Sequence, residues 1–500
     1  DQDKEKKGGG DLPNGVKLLL RPLLSLRKAR FNYSEQHNTV VPGYTPASRL
    51  LGMNQFNSPG WDFVAGIQPR ISKLREDEFG TGKDWLAQAA NQGWMSSSVF
   101  QNREVSQLST QNWDARVTIE PFRDMRLDLD ISRNYTQNHS QYFKDTLLDN
   151  NARFVHAIPQ DIGTLTMSYS ALKTLFRGDT ADLRTLFKTF EDNRVIISQR
   201  LGNGEHVDTT LSKQGYTFGY GRTQQEVLIP AFLAAYTGQD PRGINLNLFE
   251  LLPQINWRFT YNGLSRLPFF KEFFQSFSLT HGYKSSLTIN TFNTGLDFLR
   301  TRDEGFLNEL NNNFYPRLEV PELVIQEGFN PLIAVSAALK NGMSFNFDYK
   351  LTRNLAMSFV SNQLAETRRK EIVFGFGHKI NDFDISSIFG KTKKKKRPAP
   401  KPPTTGGNPA STAIAPRGLD LQFNFSLSDD VTFNHLLDQG VREPTRGSYN
   451  LSISPSAEYK LNQRLSLRFF VDYRRSEPKT SAGYPRTDSS GGVVVRFALQ

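Results

Sequence analysis

The chain has 500 residues, of which 37% are hydrophobic, with 61 Lys and Arg against 50 Asp and Glu and a net charge of +11. Its mean hydropathy is −0.50, and no apolar run reaches the ~20 residues that a spanning helix needs, so helical spanning is excluded. Cysteine is absent, which excludes disulfides and thiolate chemistry.

Aromatic residues make up 12%, with 38 Phe and 16 Tyr, a high share for so polar a chain. That combination suits strands on which only alternate residues meet lipid. A soluble β-sandwich would also place Phe on alternate positions. The start, Asp1 to Lys7, is charged with no apolar core behind it, so no signal peptide is expected. The sequence then reads as a mature chain or as a C-terminal fragment.

In chain order, strands are expected near 24–34 and 60–69. The clearest unit follows. Trp113, Ala115, Val117 and Ile119 alternate with Asp114, Arg116, Thr118 and Glu120. After a turn at 121–124, Met125, Leu127, Leu129 and Ile131 alternate with Arg126, Asp128, Asp130 and Ser132. Another strand is expected near 163–171.

The segment 172–253 reads as helical. Leu183, Leu186, Phe187 and Phe190 follow i, i+3, i+4, i+7 spacing after a cap at Asp179 or Thr180. Val227 to Tyr236 is a second apolar stretch, interrupted by Pro230. Such helices either pack on the sheet and close it or form a gate or docking surface.

Strands resume near 254–262 and 274–290. A hairpin joins Ile333, Val335, Ala337 and Leu339 to Met343, Phe345, Phe347, Tyr349 and Leu351 across Lys340-Asn341-Gly342, and Asn-Gly is a strong hairpin signal. Further strands are expected at 354–363 and 370–380, with a turn at 353. Lys391 to Arg397 runs into a Pro-rich stretch ending near 417, which cannot build a core and reads as a solvated tether. After 418–428, Tyr449, Leu451 and Ile453 pair with Leu465, Leu467, Phe469, Val471 and Tyr473 across Asn462-Gln463. The end of the chain alternates again, with Val493, Val495 and Phe497 opposite Arg496.

Fourteen to sixteen strands of this kind predict an all-β fold, a segment of an antiparallel transmembrane β-barrel. The divisions are strands with long outer loops over 1–171, the helical insertion over 172–253, strands over 254–390, the Lys/Pro-rich loop over 391–417 and closing strands over 418–500. Residues expected to face a watery lumen are Asp114, Arg116, Arg126, Asp128, Asp130, Arg258, Asp348, Lys350, Arg468, Asp472, Arg474 and Arg496. Those expected to face lipid are Val117, Ile119, Leu127, Leu129, Phe345, Phe347, Leu467, Phe469, Val495 and Phe497. Counting back from the end puts the turns at 121–124, 353 and 462–463 on the periplasmic side. The long loops near 70–112, 136–162, 429–446 and 475–490 then lie outside, together with Asn341-Gly342. The helical insertion falls on the periplasmic side.

Motifs for chemistry are missing. There is no HExxH, GxSxG or P-loop pattern, and the seven His show no metal-ligand spacing. Gly219-Tyr220-Gly221 and Gly375-Phe376-Gly377 each lack the third Gly of a dinucleotide fingerprint. The glycines of the second are expected to let a strand kink or neighbouring aromatics pack. Asp128 and Asp130 share a polar face with Arg126, where charge solvates a lumen. No catalytic residue, metal, cofactor or nucleic-acid partner is expected.

The stretches LLLRPLLSLR (18–27), VPGYTP (41–46), NSPGWDFVAGIQ (57–68), TIEPFRDMRLDL (118–129), VLIPAFLAAYTG (227–238), NWRFTYNGLSRLPFF (256–270), EGFNPLIAV (327–335) and SNQLAE (361–366) carry a resemblance. Their order and spacing resemble the C-terminal region of the type IX secretion outer-membrane translocon, the SprA/Sov gliding-motility family. The resemblance implies part of one very large barrel in the bacterial outer membrane. It implies export of folded cargo bearing a C-terminal sorting signal, a lateral opening covered by a partner barrel, and a periplasmic plug protein. It supplies no catalytic residues. Other readings of the residues are an uptake porin, or a surface adhesin using loop aromatics such as Trp85, Trp94 and Trp113.

Overall fold

A computed structural model describes residues 25–54, 57–68, 71, 84–146, 154–177, 180–202, 214–301, 307–308, 311–381, 383, 418–437, 441–461, 464–481 and 483–497. The Lys/Pro-rich loop 391–417, the Asn462-Gln463 turn, Asp179 and the side chain of Leu183 lie outside them. Strand accounts for 58% and helix for 16%, so the fold is mostly antiparallel sheet.

The strands are β1 Leu26–Val40, β2 Val105–Ile119, β3 Met125–Asp145, β4 Phe154–Met167, β5 Asn256–Tyr261, β6 Phe274–Thr294, β7 Leu318–Glu319, β8 Glu322–Leu339, β9 Met343–Ser358, β10 Gln363–Asn381, β11 Gly418–Leu436, β12 Val441–Lys460, β13 Leu465–Pro478 and β14 Arg486–Phe497. The helices are α1 Trp61–Val64, α2 Trp85–Asn91, α3 Leu172–Leu175, α4 Thr180–Leu201, α5 Gln225–Thr237 and α6 Pro268–Phe273, with a further helical turn at Leu296–Thr301. One 14-stranded sheet runs β1-β2-β3-β4-β6-β8-β9-β10-β11-β12-β13-β14, with β5 and β7 off this path.

β4 and β5 are two halves of one row. β4 pairs with Arg133–Asp145 of β3, and β5 pairs with Met125–Asp130. β6 flanks both in the same way. The chain therefore leaves the sheet in mid-row at Met167, builds the helical layer, and returns at Asn256 to complete the row. A strand-by-strand count treats β4 and β5 as separate crossings, which is why the insertion was expected at a turn on the short-turn side. It leaves instead from the middle and covers the half of the sheet away from that side.

Other expectations also change. Within the expected strand 60–69, Trp61–Val64 form the short helix α1 instead, because Gly60 and Gly66 adopt φ 120° and 85° and break any extended run. No turn interrupts β9 at Arg353, so the turns 121–124 and 340–342 and the β12–β13 connection share one end of the sheet. The described residues of the expected long loops at 136–162, 429–446 and 475–490 are largely strand. Polar residues such as Gln137, His139 and Gln141 interrupt the apolar parity there, so the alternation that marks a strand fades. At about 3.3 Å per residue, the 21 residues of β3 extend about 70 Å, far beyond an apolar band of about 25 Å.

Local signals account for the elements that were anticipated. Gly342 takes φ 86° in the β8–β9 turn, and a Cβ there would meet the Lys379 carbonyl at 2.6 Å. α5 is capped by the Gln224 side chain on the Glu226 amide and ends at Gly238 in the left-handed region. Its residues from Val227 to Thr237 are all buried, which outweighs the interior Pro230. α4 buries Leu186, Phe187, Phe190 and Ile197, and α5 packs beside it in the main core. Each such side chain contributes about 1.5–3 kcal/mol on burial. β10 holds its register through Gly375 and Gly377, so neither kinks it; both lie opposite polar residues, while Phe374 and Phe376 point the other way.

Candidate functional site

The two faces of the sheet are chemically distinct. Directly paired residues of antiparallel strands share a face. Ile119 faces Leu127, which faces Phe259; Val117 faces Leu129, which faces Trp257. Val335 then faces Phe347, which faces Phe374, Phe425, Ile453 and Tyr473 in turn. Phe469 faces Val493, Leu467 faces Val495, and Leu465 faces Phe497. All ten residues expected to meet lipid thus fall on one face, none buried. Phe31, Phe347, Leu427, Phe469, Val471, Val493, Val495 and Phe497 on this face are exposed. An uncovered apolar surface spanning a whole sheet marks a contact with something apolar.

The opposite face holds all twelve expected lumen residues. Arg116 pairs with Asp130, Asp128 with Arg258, Lys350 with Glu371, and Arg474 with Asp488. None of the twelve is buried. Arg126 donates to Asp128 at 2.8 and 3.0 Å, and Thr118 donates to it at 2.7 Å. Asp128 is therefore held by hydrogen-bond donors on the charged face, which Asp130 shares. The polar face stays accessible far along the strands, at Asn112, Asn134, Asn138, Lys284 and Gln326.

The helical layer packs on the apolar face, beyond the apolar band. The odd positions of β3 run Leu127, Leu129, Ile131 and then Arg133, Tyr135, Gln137 without a register shift against β2. Arg133, Tyr135 and Gln137 are buried. The same change occurs along β9, where Phe345, Phe347 and Tyr349 give way to Leu351, Arg353, Leu355 and Met357, all buried. A second cover, built from α2 and its flanking loops, seals Val105 and Phe143 on the same face. Trp85 and Trp94 pack in this second core, and Trp113 meets Tyr33 edge to face. All three tryptophans are partly buried against neighbouring side chains.

Buried charges bind the layer to the sheet, and sequence reasoning missed them. Arg353 is 1% exposed; its Nε donates to Glu327 at 2.8 Å, and its other nitrogens donate to the Thr174 carbonyl at 3.0 Å and the Ala171 carbonyl at 3.1 Å. The Tyr283 hydroxyl donates to Glu327 at 2.6 Å. Arg133 donates to the Phe249 carbonyl at 2.8 Å, and Arg368 donates to the Arg177 carbonyl. Buried Glu366 lies beside His435, whose ring stacks on Phe187 of α4 at 5.0 Å. A signal was available: Arg133, Glu327, Arg353, Glu366 and Arg368 occupy the parity that is apolar elsewhere on their strands. Burial in the layer raises the phenol pKa of Tyr236 and of Tyr169 above the ordinary range.

A cavity of about 420 Å³ lies where Ile229, Leu248 and Phe249 of the layer meet Tyr135, Arg317 and Val320. Tyr135 lines it from the apolar side of the sheet. Among the described residues, no helix is long and apolar enough to cross a membrane, which leaves strand spanning untouched. No family model matches this chain, and no curated protein matches it.

Proposed function

We propose that this sheet is part of an outer-membrane β-barrel whose charged face lines a protein-conducting path. The observation that carries the reading is the division of one continuous sheet into an exposed apolar face and an exposed, mixed-charge face. In a lipid bilayer, only closed arrangements of strands or helices satisfy the backbone, so the apolar face meets lipid and the charged face meets water. The resemblance to the type IX secretion translocon implies the class: a passive channel for folded cargo, with a partner barrel over a lateral opening, a periplasmic plug, and direction supplied by partners. The placement of the helical layer favours an open path, because the layer sits on the lipid-side face and, among the described residues, leaves the charged face free.

The reading is tested with a photo-crosslinking residue at Asp348 or at neighbouring Phe347, in cells secreting a cargo with a C-terminal sorting signal. Cross-links to cargo are expected from Asp348 and absent from Phe347. Equal capture from both positions, or none from Asp348 while secretion continues, overturns it. Passage of small solutes without cargo capture would move an uptake channel to first place.

A further inference from the structure

We infer that the helical layer rests on the bilayer surface, with Phe176, Leu252 and Ile255 dipping into the lipid headgroup region. This rests on the membrane reading above and adds a second contact with lipid that is not made by strands.

The argument begins at the border between the apolar band and the layer. One row crosses the sheet there: Leu129, Trp257, Tyr283, Phe329 and Leu351, paired in succession. Its rings touch, Trp257 to Tyr283 at 4.7 Å and Tyr283 to Phe329 at 5.1 Å. α3 covers this row from the far side through Leu172 and Leu175. Tyr283, Phe329 and Leu351 are buried beneath it, so the accessible part of the apolar face ends at this row.

The helical layer then presents oil toward the band instead of hiding it. Phe176 follows α3, lies tilted against Phe329 with ring centres 5.4 Å apart, and is still 59% exposed. Leu252 and Ile255, on the segment returning to β5, are 71% and 54% exposed. Ile255 directly precedes Asn256, which pairs with Asp130, so it sits at the level of Ile131. These exposed side chains belong to an insertion whose other apolar residues are mostly buried in the main core.

The opposite rim gives the spacing. α6 and its neighbours carry Leu267, Phe269 and Phe273, exposed at 48%, 67% and 50%, with Phe270 packed on Phe277 of the apolar face. From Phe274 to Tyr283 along β6 is nine residues, or about 30 Å at 3.3 Å each. A strand tilt of about 40° reduces that to about 23 Å, close to the apolar band of about 25 Å. The layer's exposed rim thus lies one membrane thickness from the other aromatic rim. A bilayer filling the band would touch Phe176, Leu252 and Ile255 at its surface.

The test uses the absence of cysteine from these residues. Nitroxide labels are placed singly at Leu252→Cys, Phe176→Cys, Phe347→Cys and Val360→Cys in the full-length protein, reconstituted in phosphatidylcholine–phosphatidylglycerol vesicles. Relative accessibility to oxygen and to a water-soluble nickel complex gives depth. Phe347 is expected in the hydrocarbon, Val360 in water, and Leu252 and Phe176 between them. If Phe347 reads as lipid while Leu252 and Phe176 match Val360, the surface contact is refuted and the barrel reading stands. If Phe347 itself reads as water, the membrane reading fails first. Leu252 guards against a misfolded Phe176 variant, because its side chain is 71% exposed.

Discussion

Removing Arg353 should release the helical layer from the sheet. The guanidinium is buried and donates to Glu327, to Thr174 and to the carbonyls of Ala171 and Thr174. In Arg353→Ala, Glu327 keeps a hydrogen bond from the Tyr283 hydroxyl but loses its only paired cation among the described residues. Two buried carbonyls lose a donor as well. An uncompensated buried charge of this kind costs about 3–5 kcal/mol. At 1.4 kcal/mol per tenfold change, local opening should become roughly a hundredfold to a few thousandfold more frequent. Amide hydrogen exchange of α4 and α5 reads this opening directly, with β11–β13 as an internal reference. Replacing both partners, as Arg353→Met with Glu327→Leu, should restore slow exchange, because an apolar pair replaces an ion pair at little or no cost. Exchange in Arg353→Ala that matches the parent, or equal acceleration in β11–β13, would refute the claim that this pair fastens the layer.

Phe347 lies level with Leu279, midway between the rims at Phe274 and Tyr283, so Phe347→Arg should cost about 2–4 kcal/mol, while Asp348→Asn should leave the amount of assembled protein in the outer membrane nearly unchanged. Equal yields would sink the assignment of faces. Phe232 is fully buried against Phe190 and Tyr236, so Phe232→Ala should destabilise the layer by about 3–5 kcal/mol, seen as protease cleavage within 180–237 and not in the strands. Burial raises the Tyr236 phenol, so the neutral form is favoured in the closed layer. Its contribution is complete below the unfolded value of about 10 and is lost as pH rises above it, so exchange in α5 should quicken above that pH and stay flat from 6 to 8. Tyr236→Phe should weaken this alkaline dependence.

The faces of the sheet were legible in the sequence because the side-chain period of a strand is two and the band alternates strictly. Val117, Leu129, Phe347 and Val495 could be assigned to one side with no knowledge of pairing. Strand ends were not legible, because Asn134, Thr136, Asn138 and Ser140 on β3 carry no contrast with Arg133, Gln137 and His139. The split of one row into β4 and β5 was hidden for a different reason: half a strand of six residues looks complete until its partners are known. The buried charges were visible only as interruptions. Arg353 between Leu351 and Leu355 reads as a flaw in an apolar face until a second layer is placed over it.

The two edges impose a last requirement. β1 pairs only with β2 and β14 only with β13 among the described residues, so both present open backbone groups. In lipid, each such group costs several kcal/mol, and an open edge is not tolerated. β1 runs away from the short-turn end and β14 runs toward it, so they could pair with each other antiparallel across a barrel of twelve rows. They could equally flank further strands in a wider barrel, as the resemblance to the giant translocon implies. Paired cysteines on β1 and β14, such as Tyr33→Cys with single cysteines stepped along 487–495, distinguish the two. A wider barrel predicts no disulfide at any step in the native membrane. Efficient bonding at one step and its neighbours in register would show a twelve-row barrel instead, too narrow for folded cargo, and the translocon reading would fall with it.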